Sequence, residues 1–173
     1  MPKIIENVRE QLLAEARKQI AERGYAQTTI RSVASACGVG IGTVYNYFAS
    51  KDVLIASFLF EDWKHHLDTM QALPENDPQS LLRGIYTALQ QFAAQNQALF
   101  SDADAARSAA IGSSARHRML REQIASFILP LCQANGTHDP AFTSDFVAEA
   151  LLCWSIEGAD FAAVYPILEK IIK

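Results

Sequence analysis

Apolar residues return at every third or fourth position along almost the whole of this chain, and nowhere do they alternate with polar ones. A period near 3.6 marks helices buried on one face, whereas half-buried strands need a period of two, so the chain is expected to be all-α. Ile5, Val8, Leu12, Ala16 and Ile20 form the first stripe, which Gly24 stops. Thr29 suits the N-cap of a short second helix with inner residues Ile30, Val33, Ala34 and Cys37, closed by Gly38. A third helix over 40–48 buries Val44 and Phe48 and turns Thr43, Asn46 and Tyr47 outward. Ser50 caps a long fourth helix that carries Leu54, Phe58, Leu59 and Trp63 and runs to about Met70.

Asp77-Pro78 and Asp139-Pro140 each pair a capping carboxylate with a proline at the first helical position. The first opens a helix striped by Leu82, Ile85, Leu89 and Phe92 and ending near Phe100; the second opens one striped by Phe142, Phe146, Ala150, Leu151 and Trp154. The stretch 101–115, rich in Ala and Ser, reads as a short helix with a break around Gly112. Leu120, Ile124, Phe127, Ile128 and Leu131 stripe the next helix, in which Pro130 forces a kink or an early end. A last helix holds Phe161 to Ile172, with Pro166 bending it or marking its start.

Half of the 173 residues are apolar, enough for a sizeable core without cross-links. Cys37, Cys132 and Cys153 lie far apart in helical patterns, which argues against a disulfide framework or a thiolate metal site and for a reducing cytoplasm. No stretch reaches the roughly 18 apolar residues of a membrane span. His65, His66, His117 and His138 do not fall at metal-ligand spacing, so neither metal nor cofactor is expected. A phosphate-binding glycine loop and a nucleophile elbow are both missing, which speaks against an enzyme. The net charge of −4 is unevenly spread. Up to Lys51, seven basic residues stand against four acidic ones, a net +3, and the rest of the chain has eight against fifteen, a net −7. A basic head on an acidic body orients a polyanion toward the head.

Two short helices joined by a tight glycine-containing turn, here Cys37-Gly38-Val39-Gly40, form a helix-turn-helix whose second member enters the DNA major groove. The segment GYAQTTIRSVASACGVGIGTVYNYFASKDVL, from Gly24 to Leu54, resembles the signature of the tetracycline-repressor (TetR) family, above all in Thr-Val-Tyr-Asn-Tyr-Phe followed by Ser-Lys-Asp. The resemblance implies a three-helix DNA-binding head over 1–50 and a helical bundle over 51–173 for effector binding and dimerisation. It places Thr29, Thr43, Tyr45, Tyr47 and Lys51 on the DNA backbone, where hydroxyls and a cation at a helix start suit phosphate oxygens. Base reading then falls to Arg31, Ile41, Gly42 and Asn46: arginine suits guanine, asparagine adenine, and isoleucine a thymine methyl. Gly40 and Ile41 depart from the polar residues common in the family, which shifts weight from hydrogen-bonded readout at Ile41 to close backbone approach at Gly42.

For the body, the resemblance implies a small-molecule pocket, for which Phe60, Trp63, Tyr86, Met119 and Trp154 offer apolar bulk with polar handles. It also implies a homodimer interface on the last two helices, with Phe142, Phe146, Phe161, Val164 and Leu168 as candidates. One head spans only a few base pairs, so useful affinity for a double-stranded operator asks for a two-fold pair in any case. The function expected is a cytoplasmic repressor released from its operator by an effector. The alternative is a DNA-bound scaffold or activator that works through a protein partner.

Overall fold

The computed structural model describes residues 7–107 and 114–173. Ile5 and the expected break around Gly112 lie outside these residues. Among the described residues there are ten helices and no strand: α1 Val8–Gln27, α2 Ile30–Ala36, α3 Ile41–Tyr47, α4 Lys51–Gln71, α5 Pro78–Gln95, α6 Gln97–Phe100, α7 Ala103–Arg107, α8 Ser114–Ala134, α9 Pro140–Glu157 and α10 Phe161–Ile172. They form two compact units, one of residues 1–62 and 96–113, the other of 63–95 and 114–173. The head expected over 1–50 falls inside the first unit, which goes on to Asp62 and takes in α6 and α7.

In the first unit Leu12, Leu13, Ala16 and Ile20 of α1 are buried together with Ile30, Val33, Val44, Phe48, Leu54, Ile55 and Phe58. Gly24 breaks α1 at φ 81°, ψ 172°, a conformation essentially reserved for glycine. Buried Gln19 ties α1 to α2: it accepts from Ser32 Oγ at 2.6 Å and donates to Ser32 O at 3.2 Å. Arg9 pairs with Glu61 and Arg17 with Asp62, both at 2.6 Å, along the flank of α4.

One expected helix is two. The pattern that suggested a run from Pro78 to Phe100 stops at Gln95, because buried Asn96 leaves helical geometry at φ −110°, ψ 18° and its carbonyl accepts the N–H groups of Leu99 and Phe100. Leu99 and Ala105 then bury themselves in the first unit, where α6 and α7 pack on α1.

The second unit has its own core, to which Trp63 and Met70 of α4, Leu82, Ile85 and Tyr86 of α5, Ile124 and Ile128 of α8, Val147 and Leu151 of α9, and Phe161, Val164 and Leu168 of α10 all contribute. Pro130 does not end α8, and Pro166 neither starts nor ends α10, which begins at Phe161 behind the Asp160 cap. Both prolines are exposed, as are Ser126 and Ala162, whose carbonyls lose their helical donors, so water can satisfy them.

Candidate nucleic-acid interface

The helix-turn-helix is built by local rules. Thr29 Oγ1 accepts the Ser32 N–H and Ser32 Oγ accepts the Thr29 N–H, both at 3.0 Å, a reciprocal capping box that fixes the start of α2. The cap uses the exposed Thr29 hydroxyl as an acceptor and leaves its proton for an acceptor outside the chain. Gly38 takes the left-handed conformation at φ 67°, and Val39 N–H bonds back to Ala34 O at 3.0 Å, turning the chain into α3.

α3 is held by Val44 and Phe48, both almost fully buried. At about 100° per residue, Gly42 and Asn46 fall opposite them, with Thr43 and Tyr47 along one edge of the outer face and Ile41 and Tyr45 along the other. Gly42, Asn46 and Ile41 are exposed, Tyr45 is 53% and Tyr47 48% exposed, and Thr43 is half-buried. Tyr45, which the sequence left between packing and DNA contact, thus stands outward. A Cβ on Gly42 would meet nothing within 4 Å, so packing within the chain does not require glycine there. Arg31 is exposed near the start of α2.

Lys51 sits differently from the other backbone candidates. Half-buried at the start of α4, its Nζ donates to the Tyr25 carbonyl and lies 3.6 Å from the Tyr25 ring centroid. Burial draws its pKa below the usual lysine value, while the charges of Asp52, Asp102 and Asp104 draw it back up. Neither Tyr25 nor Asp102 was among the sequence candidates; the only hint was the aromatic residue directly after Gly24.

Residues 12–58, the whole of this arrangement, match the family model described as "Bacterial regulatory proteins, tetR family". The HTH-type transcriptional repressor Rv1474c of Mycobacterium tuberculosis (strain ATCC 25618 / H37Rv) is 27% identical over the full chain and 99% of its own length. The similarity to the TetR family is carried by the head, residues 12–58. The HTH-type transcriptional regulator HbdR of Aromatoleum sp. (strain CIB) is 39% identical over 70 residues, which span 40% of this chain and only 29% of that protein. Beyond the head, the fold is that of TetR-family structures. Thermus thermophilus FadR, solved in complex with lauroyl-CoA, superposes with a TM-score of 0.63 at 20% identity, covering 95% of this chain and 92% of that one.

The expected effector residues are not gathered in one place. Phe60 is exposed in the first unit. In the second unit Trp63 and Tyr86 are buried core residues, while Met119 and Trp154 are largely exposed. Trp63 Nε1 donates to Gln123 Oε1 at 2.7 Å and packs edge-on against Phe92, which also meets buried His66. A hollow of about 190 Å³ in the same unit is lined by Met70, Leu73, Leu81, Phe127 and Pro130, none of them a sequence candidate. The Tyr86 hydroxyl is committed internally, 2.8 Å from Trp154 O and 2.6 Å from Ala159 O, where α9 ends at left-handed Gly158. Tyr86→Phe should therefore cost about 1–3 kcal/mol of stability, chiefly at the Ala159 carbonyl, since Trp154 O keeps the backbone N–H groups of Gly158 and Ala159, as read by urea unfolding. An unchanged midpoint would free Tyr86 for a ligand.

The dimer candidates divide too. Phe161, Val164 and Leu168 face inward and are buried in the core of the unit, so they are not surface available to a partner. Phe142 and Phe146 are exposed on α9, joined by Trp154 and Ile156, and Ile167 is exposed on α10. No group of three or more His, Cys, Asp or Glu among the described residues is placed to hold a metal, and no described helix is long and apolar enough to cross a membrane.

Proposed function

We propose that this chain is a homodimeric, sequence-specific DNA-binding regulator, a repressor that leaves its operator when a small molecule binds the body. The outer face of α3 carries the reading: Gly42 and Asn46 are turned outward between Thr43, Tyr47 and Tyr45, on a helix anchored from beneath by Val44 and Phe48, in a stretch, residues 1–51, of net +3. Thr29, Thr43, Tyr45, Tyr47 and Lys51 take phosphates, and Arg31, Ile41, Gly42 and Asn46 meet base edges. The full-length relative is named a repressor, and the FadR structure holds an acyl-CoA, which supports a small-molecule switch here. Such an effector acts by binding the arrangement that cannot span two half-sites better than the one that can. The chain is a binder in this reading, not a catalyst, and works in the cytoplasm where its operator lies.

Selection from a random duplex pool tests it. The recovered sites should be two-fold palindromes with half-sites about one turn, roughly 34–36 Å, apart. Asn46→Ala should cost roughly 1–3 kcal/mol on the recovered site and relax one position, while Tyr47→Phe should weaken all sequences alike. A pool that shows no enrichment sinks the reading.

A further inference from the structure

The bend at the end of α1 builds a seat for a cation. Gly24 turns the backbone at φ 81°, and Tyr25 follows it beside the start of α4. The bend is braced from within: Thr28, almost fully buried, donates its N–H to the Tyr25 carbonyl at 3.2 Å and its hydroxyl to the Gly24 carbonyl at 2.9 Å. The far edge of the ring is fixed as well, because the Tyr25 hydroxyl donates to Asp52 Oδ1 at 2.8 Å. Lys51 sits on the face so presented: its Nζ donates to the Tyr25 carbonyl and lies 3.6 Å from the centre of the Tyr25 ring. A carbonyl oxygen is the negative end of a peptide dipole, and a ring face is the negative part of an aromatic quadrupole, so both attract an ammonium. An ammonium has three donors. With one on the carbonyl and a second turned to the ring, a third is left on this half-buried side chain for an acceptor outside the chain.

We propose that Tyr25 is a positioning residue for DNA binding: its carbonyl and ring hold the Lys51 ammonium in place for a backbone phosphate. This rests on the DNA-binding reading and adds to it a residue to which that reading gives no contact of its own. A lysine in open water gives up most of its rotamer freedom when it meets a phosphate, whereas one that is already seated gives up less. The seat is also neutral. A carboxylate in the same place would compete with the phosphate for the ammonium, but a ring and a carbonyl leave its whole charge to displace counterions from the duplex. Thr28, bonded into the same bend, leads directly to Thr29, the cap of α2. Two of the phosphate candidates, Thr29 and Lys51, thus take their places from the one bend at Gly24-Tyr25.

The test is a double-mutant cycle on a random-sequence duplex, titrated with the whole chain by fluorescence anisotropy in about 0.1 M KCl. Tyr25→Leu removes the ring and should weaken binding roughly 3- to 10-fold. In the Lys51→Ala background the same change should cost less than about twofold. Tyr25→Phe, which keeps ring and carbonyl, should stay within about twofold of wild type. Should Tyr25→Leu fold poorly, a trifluorinated phenylalanine at position 25 keeps the shape of the ring and drains its face of electron density. Measured against Tyr25→Phe, it should lose at least about twofold, and only where Lys51 is present. A Tyr25→Leu variant that binds like wild type, or that loses equally with and without Lys51, would overturn the proposal, since Tyr25 would then only pack the head. Tighter binding by that variant would overturn it too, because the ring would be holding Lys51 away from DNA. Wild type that binds no duplex at all at low salt would instead overturn the DNA-binding reading, and this inference with it.

Discussion

Replacing Phe142 and Phe146 together by glutamate should leave the chain folded, make it monomeric, and lower its affinity for a palindromic operator by at least about 100-fold. The two rings are 67% and 50% exposed and sit one turn apart on α9, with Trp154 and Ile156 exposed on the same helix. A side chain that is already in water contributes little to folding, so the double change should move stability by no more than about 0.5 kcal/mol per site. In the proposed two-fold interface the same residues face a copy of themselves, and four new carboxylates would be desolvated together. The surroundings are acidic already: Glu149 accepts His117 Nε2 at 2.8 Å, and Arg121 stands 3.8 Å from Glu149 and 3.9 Å from Asp145. Without its partner, one head must hold the operator alone and loses the avidity of the second half-site, worth roughly 10²–10⁴. Sedimentation equilibrium at micromolar concentration, followed by titration of the selected operator, checks both parts. A double variant that still sediments as a dimer would move the interface elsewhere.

The head was legible in the sequence because its determinants are local. A threonine cap, a glycine that must take positive φ, and a buried pair four residues apart at Val44 and Phe48 each fix a few neighbouring residues, and they agree with one another. The body was less legible because its choices are tertiary. α10 shows one buried stripe, and Phe161, Val164 and Leu168 belong to it, but periodicity states that a face is covered and not whether the cover is the same chain or a second copy. α9 is apolar nearly all round, so its sequence could not separate inward Val147 and Leu151 from outward Phe142 and Phe146. Asn96 carries no glycine or proline signal, and the break there arises because Leu99 and Ala105 find burial in the other unit. At Lys51 the pattern of residues marks a charge at a helix start but not its contact, the carbonyl and ring of Tyr25, which lies 26 positions back along the chain.

Phe48→Ala should destabilise the head by about 3–5 kcal/mol and abolish binding to every duplex, although Phe48 itself offers DNA nothing. Its ring is almost fully buried, its N–H bonds Val44 O at 2.9 Å as α3 ends, and the Arg9 guanidinium lies 5.8 Å from its centroid. With Val44 it anchors a helix of only seven residues, too short to hold its shape by propensity alone. Removing the ring leaves a cavity between α3 and its support, and the outer face then loses the fixed orientation on which simultaneous contact to phosphates and bases depends. Tyr47, its neighbour, is the control: its side chain is 48% exposed, so Tyr47→Phe should keep the unfolding midpoint within about 0.5 kcal/mol of wild type while weakening binding. Urea unfolding followed by circular dichroism, alongside anisotropy on the same preparations, separates the two effects. If Phe48→Ala kept both its midpoint and its DNA affinity, α3 would have to be held by something other than the pair beneath it.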